Sequence, residues 1–77
     1  MNVPVLIATR PLPKSHIERR IGQWLPEAKW TLTPQTEDGR LWLLRLSTEP
    51  CSESVQRMLQ TLMESDWLIG MDFSYQD

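Results

Sequence analysis

The chain has 77 residues, with 8 Lys and Arg against 10 Asp and Glu, a hydrophobic content of 40% and one cysteine. A chain this short hides only about 60% of the surface its unfolded form exposes, which leaves material for one small domain over residues 1–77 and none for a catalytic domain with a lid. The net charge of −2 speaks against a general nucleic-acid binder, a lone Cys51 excludes an internal disulfide or a thiolate metal cage, and no basic, apolar leader or membrane-length run is present. The expectation is a cytoplasmic chain with no membrane insertion.

Val3 to Thr9 is rich in β-branched residues and bounded by Arg10-Pro11-Leu12-Pro13, which predicts a first strand, apolar on both faces. Pro4 cannot donate to a ladder, so it is expected at the strand's frayed start or on a side where its nitrogen needs no partner. After Pro13, Ile17, Ile21, Trp24 and Leu25 recur at helical spacing, predicting a first helix that stops at Leu25-Pro26 because a residue before proline leaves the α region. Gly22 inside that helix costs about 1 kcal/mol relative to alanine and reads as a point of close packing. Lys29 to Thr33 alternates polar and apolar, placing Trp30 and Leu32 on one face of a second strand.

Asp38-Gly39 then closes a hairpin, and Arg40 to Ser47 forms the third strand. Its alternation puts Trp42, Leu44 and Leu46 on one face and Leu41, Leu43 and Arg45 on the other. Thr48 to Glu53 carries cap residues, a proline suited to a first turn and acids that favour a helix dipole, so a second helix starts there. It is expected to bury Val55, Met58, Leu59 and Leu62, with Met63 beside them. Trp67 to Tyr75 alternates again, with Ile69, Met71, Phe73 and Tyr75 on one side and Leu68, Gly70, Asp72 and Ser74 on the other.

The order β-α-β-β-α-β is the split arrangement of an α+β, ferredoxin-like domain: a four-stranded antiparallel sheet with two helices on one face. In that topology the first and third strands lie in the middle, in agreement with their two-sided apolarity. The other sheet face then carries Leu41 and Leu43 without a cover, a patch that a partner would bury.

Catalytic and metal chemistry find no foothold. His16 has no partner base or nucleophile and reads as a solvated helix residue; Cys51 reads as a cap-region thiol; Glu37, Asp38 and Asp66 are spaced like turn residues and do not cluster into a metal site. No enzyme, cofactor or metal is expected. Charge is lopsided: Arg10, Lys14, Arg19, Arg20 and Lys29 stand among the first 29 residues, whereas from Glu49 onward six acids face Arg57 alone. Solvated helix faces explain much of this, but the acidic half also suits a basic peptide and the basic half an anion. Trp67 and Tyr75 fit either a core or the rim of a binding site.

The pattern resembles the small cytoplasmic chaperones of the NapD type. Leu25-Pro26 stands where that family ends its first helix with a proline-glycine pair, Gly39-Arg40 resembles its glycine-lysine before strand three, and Phe73-Ser74-Tyr75 resembles its closing apolar-Val-Tyr-His. Glu27 replaces the glycine and Gln76 the histidine. The resemblance implies binding of a twin-arginine signal peptide of a periplasmic nitrate reductase-type enzyme on the open sheet face. The peptide-binding residues are then expected to be Leu41, Leu43 and Arg45, with Asp72 and Tyr75 from the last strand. A protein or peptide partner is expected, with no nucleic acid, and the chain is a monomer or homodimer. The competing expectation is an ACT-like regulatory module that homodimerises through the same face. An acylphosphatase would need a glycine-rich arginine loop after strand one, and an RNA-recognition module would need stacking aromatics on the open face of strands one and three.

Overall fold

The computed structural model describes residues 3–26, 29–47 and 51–74. Its elements run β1 (Val3–Thr9), α1 (Lys14–Trp24), β2 (Trp30–Pro34), β3 (Leu41–Leu46), α2 (Ser52–Glu64) and β4 (Leu68–Asp72). The fold is α+β: one four-stranded sheet in the order β2-β3-β1-β4, every pairing antiparallel, with two helices. The two strands that read as apolar on both faces occupy the middle. Each has neighbours on both edges, and its apolar side chains on either face meet other side chains rather than water alone.

The core lies on one side of the sheet. Val5 and Ile7 of β1, Leu32 of β2, Trp42, Leu44 and Leu46 of β3 and Leu68 of β4 form one cluster with Ile17, Ile21 and Trp24 of α1 and Met58 of α2. These strand residues share a face by alternation, so both helices bury their apolar stripes against that face. Among the described residues no helix is long and apolar enough to cross a membrane.

Pro4 sits in a central strand without disturbing the ladder. The Thr9 amide donates to Arg40 O and the Arg10 amide to Trp67 O, so odd-numbered β1 amides face β3 and even-numbered ones face β4. The Pro4 nitrogen therefore points to the β4 side, beyond Leu6, the last β1 residue that β4 pairs.

Helix α1 begins after Pro13, whose carbonyl accepts the His16 and Ile17 amides, and Leu25 caps its end. The two helices are joined through Trp24. Its indole Nε1 donates to Thr61 Oγ1 at 3.1 Å, and Arg57 Nη1 donates to Trp24 O at 3.1 Å. The last turn of α1 holds no basic residue of its own, so an arginine from α2 satisfies a terminal carbonyl there. Trp67 stacks on Trp24 with ring centroids 5.8 Å apart, and packs on the core rather than standing at a rim.

Three expectations need correction. Helix α2 buries Ser54 and Met58 and packs Leu62 on the core, whereas Leu59 is 43% and Met63 86% exposed. The small, polar Ser54 lies inward and Thr61 accepts the Trp24 indole N–H, so the inward stripe of α2 is less apolar than a count of hydrophobic residues suggests. In β4 a register shift between Ala8 and Thr9 pairs Thr9 with Leu68 but Ala8 with Gly70. This β-bulge breaks the alternation: Leu68 and Met71 both pack on the core, and Ile69 between them is 65% exposed. Finally, a Cβ built on Gly22 meets nothing within 4 Å, so no neighbour requires glycine there.

Two glycine substitutions should therefore have opposite signs. Gly22→Ala removes a helix-interior glycine at no steric cost and should stabilise by about 1 kcal/mol. Gly39 adopts a φ of 71° in the β2–β3 loop, and a Cβ there would stand 2.9 Å from Leu12 O. Gly39→Ala should destabilise by about 2 kcal/mol or more through left-handed strain and that contact. Urea melts of the two variants check both signs.

Candidate functional site

The second face of the sheet is built from the other half of each strand's alternation. Register places Thr33, Leu43, Leu6 and Asp72 in one row across β2, β3, β1 and β4. Beside it run Thr31, Arg45 and Pro4 on one side, and Leu41, Ala8 and Gly70 on the other. None of these residues belongs to the cluster under the helices.

The centre of this face is apolar and flat. Leu6, Ala8 and Leu41 are half-buried, and Gly70 adds no side chain. Leu43 is only 5% exposed although it faces away from the helices, flanked across strands by Leu6 and Thr33. It is a filled floor position. A partner would touch the leucines around it more than Leu43 itself.

One edge of the face is acidic. Asp72 Oδ1 accepts the Ser74 hydroxyl at 2.7 Å and the Ser74 amide at 2.9 Å, closing the turn that ends β4. The Ser74 hydroxyl, then its amide, holds the Asp72 carboxyl below the usual aspartate range. The group is exposed and ionised at neutral pH.

The opposite corner is basic. Lys29 stands across from Ser47, whose amide and hydroxyl both donate to Lys29 O. Lys29, Trp30, Thr31, Arg45 and Ser47 line a cavity of about 190 Å³ at this corner. By strand rise and spacing, Arg45 and Asp72 lie about 12 Å apart between Cα positions.

Of the residues expected at a peptide site, Leu41, Leu43, Arg45 and Asp72 thus share one face, while Tyr75 lies outside the described residues, as do Glu27 and Gln76. Lys29 belongs to the basic half that the sequence suits to an anion, whereas its sharing of one corner with Arg45 follows only from the β2–β3 register.

Other reactive groups stand apart. Cys51 is exposed at the N-terminus of α2, with its Sγ 3.3 Å from Ser54 Oγ. Contact with the Ser54 hydroxyl, then its amide, lowers the thiol pKa. His16 meets the edge of Trp67 with ring centroids 6.1 Å apart. Asp38 serves the hairpin: it accepts the Thr36 hydroxyl at 2.6 Å and the Arg40 amide, which hold its carboxyl below the ordinary range. Among the described residues no group of three or more His, Cys, Asp or Glu is placed to hold a metal ion.

Comparison with models of protein families, with curated proteins and with solved structures finds no match to this chain.

Proposed function

We propose that this is a ferredoxin-like peptide-binding domain that takes a basic, apolar segment of the twin-arginine signal-peptide type on its helix-free sheet face, as an assembly chaperone of nitrate reductase-type enzymes does. The observation that carries this reading is the juxtaposition of an apolar floor (Leu6, Ala8, Leu41 and Leu43) with an ionised Asp72 at its edge. Apolar residues of the segment cover the half-buried leucines, which are otherwise left to water. An arginine of the segment meets the Asp72 carboxylate, whose Oδ1 is already oriented by Ser74. The domain binds and does not catalyse. The resemblance of Leu25-Pro26, Gly39-Arg40 and Phe73-Ser74-Tyr75 to the NapD-type chaperones favours the same partner.

The pairing at Asp72 is exposed, so its share of affinity is modest and salt-sensitive. Asp72→Asn should weaken binding about twofold to fivefold and flatten its salt dependence. The sign with pH follows from the lowered carboxyl: attraction is complete above the ordinary aspartate range and fades as pH falls through the lowered value. Calorimetric titration with a synthetic twin-arginine peptide, at low and high salt, reads all three. A domain that stays dimeric by solution mass and ignores the peptide would sink the reading.

A further inference from the structure

We propose that the free edge of β4, with the outer side of α2 above it, is a self-association surface: a second copy of this chain pairs its own β4 there, antiparallel, about a two-fold axis. The contact lies on the flank of the sheet and leaves the helix-free face open, so it stands independently of the peptide-binding reading. Even-numbered β1 amides face β4, and Leu6 and Ala8 pair with Asp72 and Gly70, so the backbone groups of Gly70 and Asp72 point inward. Those of Ile69 and Met71 point outward, and among the described residues no backbone hydrogen bond joins them to another element. The opposite edge of the sheet is guarded. The Lys29 carbonyl and the Gln35 amide bond to β3, so the even positions of β2 face out; they include Pro34, which has no N–H, and Lys29 adjoins the strand. Leu68–Asp72 holds neither a proline nor a cation.

The side chains above this edge extend it. Helix α2 packs over β4, with Arg57 and Thr61 turned to α1, where they meet Trp24. Leu59 and Met63 stand about 160° around the helix from those two residues, hence on the outer flank with Ile69. The three are 43%, 86% and 65% exposed. The charged residues of α2, Glu53, Arg57 and Glu64, fall on one stripe away from this ridge, whose exposed neighbours Gln56 and Gln60 are uncharged. A two-fold contact sets a surface against its own copy, so an uncharged flank beside a strand edge that both donates and accepts fits a second copy and offers nothing to the arginines of a basic segment. An axis at Gly70 pairs Ile69 with Met71 of the other copy and sets Asp72 opposite Leu68, so no like charges oppose. A standard interface takes about 800 Å² per partner, roughly a sixth of the 5121 Å² this chain exposes. One helix side and one strand edge reach the lower end of that range, which sets the dissociation constant at about 10–100 μM.

Sedimentation between about 1 and 500 μM tests this: the mass should climb from 9.0 kDa toward twice that value. Ile69→Lys and Met63→Lys, both at exposed positions, should each weaken association about tenfold or more, whereas Leu41→Gln on the helix-free face should leave it unchanged. Hydrogen exchange reads the strand pairing itself: the Ile69 and Met71 amides should slow about fourfold to tenfold between the dilute and the concentrated protein, as the monomer fraction falls. A wild type that is monomeric at about 500 μM overturns the proposal, and so does a dimer that survives both lysines or one that Leu41→Gln disrupts instead. Protection of the two amides only after a twin-arginine peptide is added gives the edge to that segment and overturns it too.

Discussion

Leu44→Ala should cost about 2–5 kcal/mol of folding stability, while Leu41→Ala, three residues earlier on the same strand, should cost about 1 kcal/mol. Leu44 is fully buried between the sheet and the helices, paired across β1 with Val5 and across β2 with Leu32, both buried. Truncating it leaves a void that a close-packed core fills only in part. Leu41 is half-buried on the helix-free face, where water takes the vacated volume. A domain of this length holds only about 4–12 kcal/mol in all, so the first change removes much of it and the second little. Chemical denaturation of both variants checks the contrast. Equal costs would mean that the two faces of β3 are equally covered.

The second large effect is on binding. Leu41→Gln should weaken binding of a twin-arginine peptide by roughly seventyfold to a thousandfold, while the domain stays folded. Losing the apolar contact of a covered leucine costs about 1.5–3 kcal/mol, and an amide left unpaired beneath an apolar segment adds about 1 kcal/mol or more. Leu41 suits this test better than Leu43. Leu43 is only 5% exposed in the free domain, so a polar residue there would act on folding before it acted on the partner. A Leu41→Gln variant that binds as tightly as wild type would remove the apolar floor from the site.

The contrast between the strands shows what alternation can reveal. Residues of β3 sort onto two faces because no bulge interrupts Leu41–Leu46, so a period of two places Leu41, Leu43 and Arg45 opposite Trp42, Leu44 and Leu46. β4 defeats the same rule, since the register shift beside Ala8 puts Leu68 and Met71 on one face three residues apart. Helix α1 was legible because Ile17, Ile21 and Trp24 form its inward stripe and proline stands at each boundary. Helix α2 was less so: Ser54 lies inward, whereas Met63 lies outward at 86% exposure. Apolarity alone does not separate those two positions. The link from Trp24 to Thr61 and Arg57, and the cavity that Lys29 and Arg45 both line, join residues distant in sequence, and neither has a local signature.

The most direct test is to follow backbone amide shifts of the labelled domain while a synthetic twin-arginine peptide is added. Binding on the helix-free face predicts saturable shifts at Leu6, Ala8, Leu41, Leu43, Gly70 and Asp72, with Leu59 and Met63 on α2 unmoved and the whole pattern weakened in Leu41→Gln. Shifts confined to α2 and Ile69, or none at saturating peptide, would contradict it.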